Sequence, residues 1–380
     1  MRDCISRRKL LAGFGAAAAG VALRRTAFAS EAPTAPVAVA KCADYGADLL
    51  PTFDRMFDQL GGLGRIVKGK TVSIKINMTG EANDRLEYLP GELAHWTHPR
   101  VIAAAVHLMG KAGARRIRIL ESPWSTAEPL EEFMLRGNWD PTLIASAAPN
   151  VEFGNTNWLG DAKKYSVFRP PNGGHIFSSY ELNHSYEDCD VFVSMAKLKE
   201  HATCGVTLSM KNCFGATPAT IYGDGAGKDG PSEFPQGGRV MIHDGSRNPP
   251  GHPEHDPKSP REGGYRVSRV VADLVAARPI HLAIVDGIAS MRGGEGPWIP
   301  GSKPIRPGVL VVGTNCVTTD AVGTALMGFD PMADRGTAPF ETCDSHLRLA
   351  ELHGVGTRDL KRIEVLGTPI SAAKVNYRKA

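Results

Sequence analysis

The chain has 380 residues, 42% of them hydrophobic and 22% charged, with 44 Lys and Arg against 40 Asp and Glu. That length suits one large or two intimate domains. Six of the basic residues and one acid lie in residues 1–29, which leaves 38 against 39 beyond them, so no basic surplus remains to argue for nucleic acid or an anionic membrane surface.

In chain order, Ser6-Arg7-Arg8-Lys9-Leu10-Leu11 opens a cationic start followed by an apolar, Ala- and Gly-rich stretch over residues 10–23. This is the pattern of a twin-arginine export signal. The stretch is too short to cross a hydrocarbon core of about 30 Å. Ala27-Phe28-Ala29 offers a small-x-small cleavage site, so residues 1–29 are expected to be removed. The expected location is the periplasm or another exported compartment. The twin-arginine translocase is the partner during export, and the mature protein is expected to have no stable membrane span. A cytosolic chain with a basic N-terminus and an uncleaved anchor are the alternatives.

Residues 30–40, rich in Ala and Pro, read as a linker, followed by one domain over residues 41–380. Residues 71–77 alternate, with Val72, Ile74 and Ile76 on one face, and predict a strand. Thr97 and Pro99 open a helix whose apolar positions Val101, Ile102, Ala105, Leu108 and Met109 recur every three to four residues. Gly113 ends it and residues 116–120 give the next strand, a βαβ unit. Further strands are expected at 151–153, 190–196, 281–286, 308–313 and 362–366, with helices at 268–277, 319–327 and 345–353. Strands alternating with helices predict an α/β fold with a mainly parallel sheet flanked by helices. Residues 215–265, rich in Gly, Pro and His with little periodicity, read as a long irregular insertion.

Ligands of open parallel sheets bind outside the carboxyl ends of the strands. The strand exits here carry Lys75 and Asn77, then Glu121, then Lys197-Leu198-Lys199-Glu200-His201, then Asp286, then the run from Thr314 to Asp320. In the most unusual segment, residues 197–215, lysines stand among apolar residues. A lysine held in an apolar cleft pairs with an anion or loses its proton. Lys197, His201 and Lys211 are therefore the candidate catalytic residues. Lys75, Asn77, Asn212, Glu121 and Asp286 are the candidate contacts to a small anionic ligand. Lysines that snorkel at the surface are the plainer alternative, favoured for Lys199. His243, His252, His255 and Asp256 have metal-ligand residue types, and a metal ion is one candidate cofactor, although their spacing matches no metal motif. The Gly-rich run of residues 293–297 lacks the Lys-Ser/Thr ending of a phosphate loop and reads as a turn. No C-x-x-C pair exists, which argues against a zinc ribbon or a ferredoxin-type cluster. The cysteines beyond the signal are expected to be mostly buried free thiols.

Several of these pieces together resemble the domain-of-unknown-function family 362 (DUF362). They are Lys75-Ile76-Asn77, Thr97-x-Pro99, Gly113-Ala114, Lys197-Leu198-Lys199-Glu200-His201, Gly205-Val206-Thr207, Lys211-Asn212-Cys213-Phe214-Gly215, Asp286-Gly287, Gly296-Pro297 and Asp320. Glu200 stands where the family usually has Thr. Some members carry an appended ferredoxin-like cysteine domain. This sequence has no such domain, so the resemblance implies no iron–sulfur cluster. The Thr-x-Pro helix start and the later lysine-bearing Gly-rich segment are also faintly similar to the nickel-pincer lactate racemase family, which would make Lys211 a cofactor-bearing lysine. Three readings follow: an enzyme acting on a small anionic substrate, a periplasmic metal or cofactor protein, and a non-catalytic binding or assembly factor.

Overall fold

The computed structural model describes residues 31–124, 126–157, 165–227 and 238–378. The export signal expected over residues 1–29 lies outside them.

One eight-stranded sheet organises the chain. Its strands are β1 (Val37–Lys41), β2 (Thr71–Lys75), β3 (Arg116–Glu121), β4 (Val151–Asn155), β5 (Val191–Lys197), β6 (Leu282–Gly287), β7 (Val309–Gly313) and β8 (Val365–Gly367). The spatial order is β8-β1-β7-β6-β5-β2-β3-β4. β6, β5, β2, β3 and β4 are mutually parallel. β7 alone is reversed, antiparallel to both β1 and β6. The architecture is thus an α/β fold with a mainly parallel sheet covered on both faces. The central strands β2, β5 and β6 are buried along their whole length, as a sheet with two covered faces requires.

The pleat sorts side chains between two layers. Val72, Ile74, Val193, Met195, Leu282 and Ile284 pack with helices α1 (Leu49–Gln59) and α2 (Pro99–Lys111). Phe192, Ala283 and Leu120 point the other way. They meet the core built by α3 (Leu208–Asn212), α4 (Gly263–Ala277), α5 (Cys316–Leu326) and α6 (His346–Leu352). His98, rather than Thr97, caps α2: its Nδ1 accepts the Arg100 N–H at 3.1 Å. The six cysteines of the described residues are free thiols, five of them buried. No helix among those residues is long and apolar enough to cross a membrane.

Three expectations are corrected. Residues 37–40 are not linker but belong to β1, because Val37 and Val39 enter one core cluster while Ala38 enters the other. Residues 215–265 are not irregular throughout: they hold helices Ala219–Tyr222 and Val240–Asp244 and the start of α4. Ile221, Tyr222 and Ile242 bury there, so core contacts supply the order that periodicity did not announce. The reversed β7 sends Thr314 to the opposite end of the sheet from the other exits, since Gly313 pairs with Ala283 at the start of β6.

Candidate functional site

At the carboxyl end of β2, β3 and β5 the chain leaves the sheet and encloses a cavity of about 570 Å³. After β5, a two-stranded ribbon of Glu200–His201 and Gly205–Val206 turns the chain into α3. Gly205 has φ +77°, and a Cβ there would lie 2.6 Å from the Phe340 ring, so only glycine fits the turn. Leu208, the first residue of α3, is left-handed at φ +44°, a conformation costing a non-glycine residue about 1–2 kcal/mol. Asp320, from α5, offsets this by accepting the Ser209 and Met210 N–H groups at 2.9 and 2.8 Å. Burial drives the Asp320 carboxyl up to about 7. The aspartate that the sequence placed at a strand exit therefore acts as the anchor of α3 from the opposite side.

The floor of the cavity is a polar knot. Lys75 and Glu121 form a buried ion pair, and the Lys75 ammonium also donates to the Ile76 carbonyl at 2.7 Å. Burial lowers the Lys75 pKa, against the pull of Glu121. Glu121 accepts the Met78 and Ser122 N–H groups at 2.8 and 2.9 Å. Asn212 ties α3 to the sheet by donating to the Lys75 carbonyl at 3.1 Å and the Ser194 hydroxyl at 3.0 Å. Its Oδ1 accepts from Asn77 at 3.0 Å. The buried Asn77 Oδ1 has no hydrogen-bond partner among the described residues. Gly215 allows this closeness: a Cβ there would stand 3.0 Å from the Lys75 Nζ.

Above the floor stands Lys211, on α3. Its Nζ lies 4.2 Å from the Phe214 ring centroid, and it lines the cavity. Among the described residues no hydrogen bond or ion pair reaches that ammonium. Burial lowers its pKa to about 8. Two histidines flank it in different states. The His201 Nδ1 accepts the Thr203 N–H at 3.1 Å, which puts the ring proton on Nε2. The His243 Nδ1 lies 2.8 Å from the Arg239 carbonyl, so Nδ1 carries the proton and Nε2 a lone pair. Burial, then Lys211, lowers His243 to about 4, and burial holds His201 well below its ordinary value.

Two segments that the sequence left aside complete the wall. Lys199, expected at the surface, is fully buried and lines the cavity, its Nζ donating to the His95 and Glu295 carbonyls at 2.8 and 2.6 Å. The Gly-rich run read as a turn brings Glu295, whose carboxylate accepts the Ala202 N–H at 2.9 Å and stands 3.6 Å from the His201 Nδ1. Although burial opposes it, hydrogen bonds from the Ala202 N–H and the Trp298 indole N–H help bring Glu295 down to about 2. Glu200 returns the contact by accepting the Gly293 N–H at 2.6 Å, so two glutamates clip the loop to the ribbon. Arg239 was also missed. It donates to the Thr217 carbonyl at 2.6 Å and to Ser122, and burial lowers it to about 10.

The expected residues are therefore divided. Lys75, Asn77, Glu121, His201, Lys211, Asn212 and His243 converge on the cavity. Lys197 and Asp286 do not line it. They form a fully buried ion pair of 2.8 Å with each other, and Lys197 also donates to the Glu92 carbonyl at 2.9 Å. The pleat is the reason: Lys197 has the parity of Val193 and Met195, facing α1 and α2, whereas Lys75 has the parity opposite to Val72 and Ile74. The four expected metal ligands are not brought together. His252 meets Glu181 at 3.2 Å, His255 meets the Gly173 carbonyl at 2.5 Å, and Asp256 closes a local turn on the Lys258 N–H at 2.9 Å. Their side chains are spent on separate loop contacts, and only His243 reaches the cavity.

A family model described as Domain of unknown function (DUF362) matches residues 72–325. The chain is 25% identical over 301 residues to a thylakoid-associated protein of Synechocystis sp., covering 78% of this chain and 75% of that protein. Among solved structures, a protein from Thermotoga maritima is 12% identical, with a TM-score of 0.33 over 66% of this chain and 54% of its own. The lactate racemase apoprotein from Thermoanaerobacterium thermosaccharolyticum is 11% identical, with a TM-score of 0.35 over 73% of this chain and 55% of its own. The chain thus spans about half the length of these two solved proteins.

Proposed function

Because this chain belongs to the DUF362 family, whose model runs through the residues that wall the cavity, we propose that it is an enzyme acting on a small anionic substrate in the lysine-rich cleft. The observation that carries this reading is Lys211, a buried amine that lines the cavity with no acidic partner bonded to it among the described residues. A cation so placed is costly until an anion neutralises it. Lys211 holds the anion, with Arg239 and Lys75 adding positive potential. The His201 Nε2–H is the hydrogen-bond donor, and the lone pair of His243 Nε2 is the base. Burial is the chief cause of the low His243 pKa and Lys211 the next; an anion bound beside Lys211 offsets that second contribution and so strengthens the base.

The test is titration of the purified protein and of Lys211→Ala with simple carboxylates and inorganic phosphate by calorimetry. Wild type is expected to bind at least one of them, with a tenfold or greater loss in the variant, on the order of 1.4 kcal/mol. Equal affinity of both proteins for every anion overturns the assignment.

Export by the twin-arginine route belongs to the same reading. The Arg7-Arg8 pair and the apolar run after it support it, as does a relative described as thylakoid-associated. Replacing Arg7 and Arg8 together by Lys is expected to leave the full-length precursor in the cytoplasmic fraction. Unchanged export of that variant counts against the route.

A further inference from the structure

Away from the cavity, three segments converge on one point. His175 comes from the loop that precedes the strand Tyr180–Leu182, Asp273 from α4, and His353 from the end of α6. The His175 Nδ1 lies 2.8 Å from the Asp273 Oδ1, the His353 Nε2 lies 3.0 Å from the same oxygen, and the two nitrogens are 2.9 Å apart. The rings meet edge to face with centroids 4.4 Å apart. None of the three residues lines the cavity.

This triangle cannot be closed by hydrogen bonds. Each ring nitrogen holds at most one proton and the carboxylate oxygen holds none. At most two of the three edges can carry a hydrogen, and the third brings two electron-rich or two proton-bearing atoms together. One cation above the triangle satisfies all three atoms at once. The size of the triangle indicates which geometry. Ligand atoms about 2.1 Å from an ion lie about 3.0 Å apart at right angles and about 3.4 Å apart in a tetrahedron. The observed edges match the face of an octahedron.

The surroundings are those of a metal ligand set. The second carboxylate oxygen, Oδ2, accepts the Tyr180 hydroxyl at 2.8 Å, and the His175 N–H is shared between Oδ2 at 2.8 Å and Oδ1 at 2.9 Å, which fixes the plane of Asp273 with Oδ1 beside both histidine nitrogens. Such outer contacts are how proteins orient ligating carboxylates. Asp273 is fully buried, while His175 keeps 26% of its side chain exposed, so an ion has a way in and open coordination positions on that side.

We propose that His175, Asp273 and His353 form a two-histidine, one-carboxylate site for a divalent first-row transition-metal ion, bound on one face with its remaining positions open. This donor set suits iron(II), manganese, cobalt and nickel in octahedral geometry. The site is independent of the anion cleft, and either can stand without the other.

The test uses the full mature chain stripped with a chelator and titrated with cobalt(II), read by visible absorption and by metal analysis after gel filtration. Wild type is expected to take up one equivalent with the weak d–d bands of a six-coordinate ion. His353→Gln and His175→Gln, each checked for an unchanged thermal transition, are expected to lose that equivalent while keeping the anion affinity of the cavity. Tyr180→Phe, which frees the carboxylate but removes no ligand, is expected to weaken binding by about 10- to 100-fold. Absence of stoichiometric cobalt in wild type overturns the proposal. So does binding in the two histidine variants that equals wild type. His175 is the more exposed ligand and tolerates substitution if His353→Gln fails to fold.

Discussion

Lys197 and Lys211 belong to one short block of sequence, both are buried, and they live in opposite circumstances. Lys197 faces α1 and α2, where Asp286, the Glu92 carbonyl and the Tyr45 hydroxyl fill its donors at 2.8, 2.9 and 3.3 Å. Asp286 is filled in turn by the His98 and Ile288 N–H groups at 3.0 and 3.1 Å. Lys211 faces the other layer, over an aromatic ring and a cavity, with its donors unspent among the described residues. Both lose solvation. Only one receives its compensation inside the fold. A closed network of this kind holds the carboxyl ends of the central strands β5 and β6 together, and an open ammonium stores electrostatic free energy that a ligand can release. The difference separates a structural lysine from a functional one more sharply than burial does.

The largest effect that tests this contrast is on Lys197. Lys197→Ala removes the cation beside the buried Asp286 and leaves that carboxylate with two N–H groups and the Tyr45 hydroxyl. The expected loss is about 3–5 kcal/mol of folding stability, read as a lower denaturant midpoint with an unchanged slope. The anion affinity of the folded variant is expected to stay within about twofold of wild type, because one unit of affinity needs a change near 1.4 kcal/mol and Lys197 touches none of the cavity. A stability loss below 1 kcal/mol would erase the distinction between the two lysines.

Much of this arrangement is legible in the residues, and the failures have physical causes. Six of the seven strands expected from alternation and apolar runs form close to their expected places, because strand periodicity reports burial directly, whereas the one expected at 362–366 is shifted to Val365–Gly367, on a half-exposed edge. β1 escaped because Val37-Ala38-Val39-Ala40 is short and follows an Ala- and Pro-rich stretch. The assignment of Lys197 and Asp286 to the cleft failed although its signal was present. Counting by two from Val193 and from Ile284 puts both on the α2 side. Lys199 and Glu295 were beyond reach, since each enters the cavity through a loop whose path is set by partners distant in sequence. Reversal of β7 is equally invisible locally: residues 309–313 read the same in either direction, and pairing with β1 and β6 decides it. The site histidines divide the same way. His201 was placed by its strand exit, whereas His175, Asp273 and His353 stand in three segments with no shared motif.

The smaller effect lies in pH, and it is specific to Lys211. Its pKa falls from 10.5 to about 8 on folding, with burial the chief cause. Below pH 8 the amine is protonated in folded and unfolded chains alike, and the full burial penalty is present. Between about 8 and 10.5 the unfolded chain still holds the proton while the folded chain has released it. Stability from this group therefore rises with pH across that window, by up to about 3 kcal/mol. Lys211→Met removes the titration and keeps the volume. The wild-type minus variant stability difference, followed by urea denaturation from pH 7 to 10, is expected to move in favour of wild type as pH rises. A saturating anion opposes this release: it raises the folded pKa, so binding takes up protons near pH 8.5 and the slope flattens. Lys197→Met shows no such anion dependence if its partner is inside the fold, and an identical response in both variants would mean that the two lysines share one environment.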